Sequence, residues 1–281
     1  MRASRPFASL ALAGLLFALF VAFWQLASTT GAGSGEALDP EYAALVGAAA
    51  ATRGQTPFPS PAAVGARILE HLADPFYMRG TNDQGIGIQL GYSLGRVLAG
   101  YLLAALVAIP LGFVIGMSPL LYGALNPFIQ VLRPISPLAW KPLALYTIRD
   151  SAASSIFVIF ICSIWPMLLN TAFGVATVRK EWLAVARTLE CGRLRAAFRV
   201  ILPAAAPTIM TGMRISIGIA WLVIVAAEML VGGTGIGHFV WNQWNNLSIA
   251  DIVTAILVIG VVGMVLDQLL AIATRAVSLQ E

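Results

Sequence analysis

The chain has 281 residues, of which 59% are hydrophobic and 11% charged, and its mean hydropathy is +0.84. Soluble domains carry about 25% charged residues, so this composition excludes an ordinary soluble domain and implies an all-α, polytopic membrane protein. The formal charge of +4 does not argue for nucleic acid, because the basic residues concentrate where membrane topology places them. The cysteines Cys162 and Cys191 match no CxxC or zinc spacing, so neither a disulfide nor a metal site is expected.

Residues 7–26 form the first apolar run, uncharged and about the 20 residues needed to cross a bilayer. A signal peptide is the rival, but its apolar core normally runs about 7–15 residues. A retained N-terminal helix over 1–27 is expected. Residues 28–89 change character. GAGSGE, the Ala-rich stretch at Ala48–Ala51 and TPFPSPAAV are loop-like, with a short helix expected over Pro61–Leu72 behind Ser60 as its N-cap. This is read as a periplasmic segment.

Tyr92–Gly116 is the second expected span. Val97–Leu132 contains no charge and is too long for one crossing, so a turn is placed in MSPLLYG, Met117–Gly123. The third span, Asn126–Ile148, is interrupted by Pro127, Pro134, Pro137 and Pro142 and holds Arg133 and Lys141. The fourth is Ser151–Val178. The fifth, Ala204–Leu230, contains Arg214 and Glu228, and the sixth, Ile249–Thr274, contains Asp251 and Asp267. With both termini cytoplasmic, these six transmembrane helices put Arg2, Arg5, the basic stretch after the fourth span and Arg275 inside, as the positive-inside rule requires.

That basic stretch, residues 179–203, is the most charged in the chain. Trp182, Val185, Ala186 and Leu189 fall on one helical face, and after Cys191 and Gly192 the pattern restarts with Leu194, Ala197, Phe198 and Ile201, stopping before Pro203. Two short amphipathic helices joined by a bend make a compact docking element. A solvated basic loop held inside by topology alone is the plainer alternative.

No P-loop motif occurs, so the chain does not bind ATP by that route. GGTGIG, Gly232–Gly237, lacks a preceding strand and has His238 where a dinucleotide fingerprint needs Gly. A glycine-rich re-entrant turn is expected there. Ionisable side chains within spans are functional candidates by default: Lys141, Arg149, Arg214 and Glu228, with Trp221 as an aromatic neighbour. The plainer alternative for each is an inter-helix pair or a snorkelling end residue, and Arg149 and Asp251, near span ends, are assigned mainly to that class. Arg214 and Glu228 lie on one face of their helix, too far apart to pair.

AVARTLECGRLRAAFRVILPAAAP, Ala184–Pro207, resembles the cytoplasmic coupling loop of ABC importer permeases, whose pattern reads EAA, three residues, Gly, nine residues, I-x-LP. VILP at Val200–Pro203 matches. The Glu position is Ala184 and the Gly position Glu190, so both are replaced, while Ala186, Leu189, Leu202 and Pro203 are kept, and Gly192 can supply the bend. SLGRVLAGYLLAALVAIPLG, PISPLAWKPLALYTIRDS and TGMRISIGIAWLVIVAAEMLVGGTGIG resemble the nitrate, sulfonate and taurine branch of that family. IRDS, ICSIWPMLLNTAFGV and GTGIGHFVWNQWNNLSIADI are most similar to nitrate/nitrite and cyanobacterial bicarbonate permeases. The resemblance spans Gln89–Glu281. It implies a type I ABC importer permease domain over 90–281 in a bacterial inner membrane. It further implies a second permease copy as homodimer partner, two ATPase subunits carrying ATP and Mg, and a periplasmic or membrane-anchored solute-binding protein. The chain itself would be no enzyme and would hold no cofactor. ATPase coupling would fall to Trp182, Val185, Ala186, Arg187, Leu189, Glu190, Gly192 and Arg193. Nitrate/nitrite is the expected solute, with sulfonate, taurine or bicarbonate as alternatives. Outside the family, an ATPase-independent carrier using Glu228, Asp251 and Asp267 as a proton relay and a non-transporting assembly protein remain rival expectations.

Overall fold

The computed structural model describes residues 5–30, 58–80 and 83–278. Arg2, the GAGSGE stretch and Ala48–Ala51 lie outside them. The described residues are helical apart from turns and one isolated antiparallel bridge between Met78 and Gln84. The helices are α1 (Arg5–Thr30), α2 (Pro61–Ala73), α3 (Ile86–Met117), α4 (Pro119–Leu132), α5 (Pro137–Ile148), α6 (Ser151–Ala176), α7 (Lys180–Thr188), α8 (Arg193–Ala196), α9 (Leu202–Val231), α10 (Ile236–Asn245) and α11 (Ile249–Ser278). Among the described residues, five helical stretches are long and apolar enough to cross a membrane, in α1, α3, α6, α8–α9 and α11.

The chain forms two compact units, one of Met1–Pro75 with Asn242–Ile256 and one of Phe76–Trp241 with Leu257–Glu281. In the first, the Trp24 indole N–H donates to the Pro59 carbonyl at 3.0 Å, and the Trp24 and Phe58 rings stand 5.9 Å apart. Asp251 is buried there. It bonds His71 Nε2 at 3.1 Å and accepts from the Ser248 hydroxyl at 2.5 Å.

The second unit is built on α3, α6 and α9. Gly100, Ala104, Ala108, Gly112 and Gly116 recur every fourth residue along α3, a small-residue stripe that lets helix backbones approach closely. The fit is tight. A Cβ on Gly112 would stand 2.7 Å from the Leu168 carbonyl of α6, and one on Gly116 2.5 Å from that of Ala172. On the other side of α6, a Cβ on Gly212 of α9 would meet Asn170 at 2.6 Å.

The expected third span is not one helix but two, α4 and α5, broken over Arg133–Ser136. The cause is local. Ser118 and Ser136 each precede a proline and cap a new helix. The Ser118 hydroxyl accepts from Leu121 N at 3.4 Å and the Ser136 hydroxyl from Leu138 N at 3.3 Å. Ser at N-cap followed by Pro at the first helical position is a strong start signal. Ser60–Pro61 starts α2 in the same way, with the Ser60 hydroxyl accepting from Ala63 N at 3.2 Å. The turn sought in Met117–Gly123 contracts to Ser118 alone.

Candidate functional site

The docking element is made of α7 and the start of the helix that follows it. α7 ends in a full Schellman closure: Glu190 N donates to the Arg187 carbonyl and Cys191 N to that of Ala186, both at 3.0 Å. This closure needs its C′ residue in the left-handed conformation. Glu190 occupies that place, with φ 51°. The residue standing where the family pattern has Gly therefore adopts the backbone that favours glycine. Gly192 then caps α8 from an extended conformation.

The stop before Pro203 that the apolar pattern predicts does not occur. α8 runs through a wide π turn, Ala197–Ile201, straight into α9, so residues 193–231 are one continuous helical rod. Pro203 has no N–H and its ring would collide with the carbonyl four residues back. The wider i→i+5 winding just before it accommodates both.

The apolar face of the element divides in two. Ala186 is buried, and Leu183 packs on a cluster of Val175, Ile201, Ala205 and Ile209, which ties α7 to the ends of α6 and α9. Trp182, Val185 and Leu189 are exposed at 43%, 58% and 70%, and Leu194 and Phe198 at 77% and 68%. The Arg179 guanidinium lies 5.5 Å from the Trp182 ring centre. Arg187, Arg193, Arg195 and Arg199 are exposed, and none of them takes part in an ion pair among the described residues. The result is an apolar patch rimmed by cations.

Two buried charges, Lys141 and Glu228, sit elsewhere in the same unit. Lys141 is 1% exposed. Its ammonium donates to the Ser155 hydroxyl at 2.6 Å and the Ser151 carbonyl at 3.1 Å. No carboxylate lies within ion-pairing distance of it among the described residues. Direct neutralisation by Glu228 is thus not formed. Glu228, 3% exposed, is taken by Arg96 at 2.7 Å and also accepts from the Ser93 hydroxyl at 2.7 Å and Gly237 N at 3.1 Å.

This carboxylate organises the glycine-rich turn. Arg96 also donates to the Thr234 carbonyl, the Gln89 side-chain carbonyl accepts from Gly235 N, and the Ser93 hydroxyl accepts from Ile236 N. Gly232, Gly233 and Gly235 all have positive φ, and a Cβ on Gly235 would fall 2.2 Å from the Glu228 carboxyl. GGTGIG is a turn wrapped over a buried ion pair, preceded by helix α9 rather than a strand. Gln89, Ser93 and Arg96 are functional-looking residues that do not stand out when the spans are read one by one. The signal was there: Arg96 is a lone cation just ahead of the longest uncharged run in the chain.

Of the other candidates, Arg214 and Trp221 each bond a group on α11, and Arg149 ends α5. Arg214 forms a two-pronged bridge to Asp267, both contacts 2.6 Å, with both side chains about half exposed. Trp221 is buried and donates its indole N–H to the Ile259 carbonyl at 2.9 Å, pinning α9 to α11. Arg149 closes α5 with φ 60°, and Asp150 immediately caps α6 by accepting from Ala153 N at 2.6 Å. Glu228, Asp251 and Asp267 are each held by their own cationic or histidine partner. Among the described residues no three metal-ligating side chains cluster. His238 is 9% exposed, and neither ring nitrogen has a hydrogen-bond partner. Burial holds its pKa below the usual histidine value.

Long apolar helices packed through small residues, a span broken by prolines and a few fully buried charges define a helical transport protein of the membrane. More particularly, the chain belongs to the family described as binding-protein-dependent transport system inner membrane components, whose pattern matches residues 108–279. It is 48% identical over 207 residues to the nitrate import permease protein NrtB of Leptolyngbya laminosa, covering 73% of this chain and 74% of that one. It is 42% identical over 208 residues to the bicarbonate transport system permease protein CmpB of Synechocystis sp., covering 74% of each. The fold is also that of a chain in an inward-facing structure of the MetNI methionine ABC transporter. The TM-score is 0.59 at 14% identity, covering 66% of this chain and 93% of that one. The protein is an ABC importer permease subunit with the type I importer fold.

Proposed function

We propose that the chain forms the translocation pathway of an ATP-driven nitrate/nitrite importer. The observation that carries this is the 48% identity to a nitrate permease across nearly three quarters of the chain, against 42% to a bicarbonate permease. In this reading it works as a homodimer in a bacterial inner membrane, with both termini cytoplasmic. Two ATPase subunits supply ATP and Mg chemistry, and a solute-binding protein delivers the anion.

The docking element supports coupling to those ATPases. A partner covering Trp182, Val185 and Leu189 would remove apolar surface from water, at about 1.5–3 kcal/mol for each large side chain fully buried. Ala186 and Leu183 would transmit the motion into α6 and α9, Arg187 and Arg193 would meet acidic groups on the partner, and Glu190 with Gly192 would hold the angle. Lys141 would contribute positive potential to the pathway. Arg96 and Glu228 neutralise each other, so Lys141 is left as the uncompensated buried charge of this region. Arg149, Arg214 and Trp221 would act through packing rather than solute contact.

The test is uptake in proteoliposomes holding the permease, its ATPases and its binding protein, with labelled nitrate, nitrite, bicarbonate and taurine supplied in parallel. ATP-dependent nitrate or nitrite uptake well above the others is expected. Preference for bicarbonate or taurine would overturn the solute assignment. Uptake by the permease alone, with no ATPase present, would overturn the importer assignment.

A further inference from the structure

The break between α4 and α5 opens on a cavity of about 410 Å³. Its walls include Arg133 and Trp140 beside the break, Cys162, Trp165 and Asn170 on α6, and Ile215 on α9. Cys162–Asn170 is the middle of α6, Ser151–Ala176, and Ile215 is the middle of α9, Leu202–Val231. Both helices are long and apolar enough to cross a membrane. The cavity therefore lies near mid-depth.

Irregular backbone at that depth is tolerated only inside protein or against a water-filled cavity. Pro134, Pro137 and Pro166 all line this one. Each lacks an N–H, and Pro166 leaves the Cys162 carbonyl without its helical donor. Arg133 is exposed and belongs to none of the ion pairs among the described residues. A permanently charged guanidinium at membrane depth is costly wherever it faces lipid, and its usual place is a solute path.

We propose that this cavity is a binding site for a small, planar, weakly hydrated oxyanion of the nitrate type, with Arg133 as its charge partner. The assignment rests on the importer reading above and adds where the anion is held. The planar guanidinium fork presents two parallel N–H groups, which fit two oxygens of a trigonal oxyanion. Asn170 donates one amide hydrogen to the Pro166 carbonyl at 2.8 Å and retains a second for the solute. Trp140 and Trp165 make the remaining wall largely apolar. Such surroundings accept an anion that sheds its water readily and disfavour a strongly hydrated one such as sulfate.

Two measurements on the intact importer decide it. In proteoliposomes with ATPases and binding protein, Arg133→Gln is expected to lower nitrate uptake at least tenfold while assembly and basal ATP hydrolysis persist. Arg133→Lys, which keeps charge without the fork, should recover part of the loss. Separately, with Cys191→Ser removing the other thiol and Arg133 intact, millimolar nitrate should slow modification of Cys162 by a negatively charged thiosulfonate, and sulfate should not. The second measurement stands even if Arg133→Gln fails to assemble. Normal nitrate uptake in Arg133→Gln, or a Cys162 rate indifferent to nitrate, overturns the cavity assignment. Nitrate protection of Cys162 without nitrate uptake leaves the cavity standing and overturns the transport reading instead.

Discussion

Glu228 provides the sharpest test of how the second unit is held together. Replacing it with Ala removes one partner of a buried ion pair and leaves Arg96, whose side chain is only 16% exposed, without its counter-charge. Breaking a buried pair from one side costs about 3–5 kcal/mol. The Ser93 hydroxyl, Gly237 N–H and Gly235 packing lose their partner in the same step. Glu228→Gln keeps the shape and an acceptor for Ser93 and Gly237, so its cost should be smaller, about 1–3 kcal/mol. Arg96→Met with Glu228→Met removes both charges at similar volume. It should recover at least half of the Ala loss, because the uncompensated guanidinium is gone while only the neutral donors stay unpaired. Unfolding of the detergent-solubilised chain, followed by tryptophan fluorescence, ranks the three variants. Glu228→Ala within about 0.5 kcal/mol of the unaltered chain, or a double variant no better than the single one, would refute the ion pair as the organiser of the glycine turn.

Three further outcomes are expected. Leu189→Asp, at a position 70% exposed, should abolish co-purification of the ATPases while the permease still reaches the membrane; retained ATPase would rule out this face as the dock. Glu190→Gly should raise the stability of the α7–α8 turn by about 1–2 kcal/mol, since an L-residue in the left-handed region costs about that much. Hydrogen exchange of the Glu190 and Cys191 amides reads it. The depressed pKa of His238 means that the unfolded chain binds its proton more readily than the folded one. The contribution of His238 is therefore fully present above the unfolded value, about 6.5, and is lost as pH falls from there towards the folded value. His238→Gln should flatten the acid side of the stability–pH curve below about 6.5, and an unchanged slope would show that the buried ring is not responsible.

Long apolar runs placed α1, α3, α6, α9 and α11 in the sequence, because crossing a bilayer demands length and composition that few other structures need. The third span reads from the sequence as one interrupted helix, and the structure makes it two. Its prolines were visible, but the decisive unit was the Ser–Pro pair, which caps and starts a helix at once. Ser60–Pro61, Ser118–Pro119 and Ser136–Pro137 all carry this signal. The candidate charges were legible as a list but not as partners. Glu228 finds Arg96 across 132 positions and Arg214 finds Asp267 across 53, and helical periodicity carries no information about pairing at that separation. Lys141 reads from the sequence as a cation deep in a span, because depth is a matter of local sequence. That it would lean on the Ser155 hydroxyl and Ser151 carbonyl of the next helix depended on where α5 and α6 meet.

The docking element shows why letters and geometry can part. The family pattern has Gly where this chain has Glu190, the C′ position of α7. By residue type alone the bend looked displaced two positions, to Gly192. The backbone says otherwise: Glu190 itself takes the left-handed conformation, and two hydrogen bonds at 3.0 Å close the helix around it. A Schellman closure collects carbonyls that would otherwise be unsatisfied and fixes the exit direction of the chain. Its gain in backbone bonding exceeds the cost of about 1–2 kcal/mol for holding a side chain there. Gly192 serves the next element instead, opening α8 from extended backbone. What persists across the substitution is the requirement that α7 end after Leu189 and turn back on itself. That turn leaves Ala186 against the body and Leu189 facing out. A docking face of this kind is specified by where the helix stops, and the amphipathic pattern that revealed it follows from that stop.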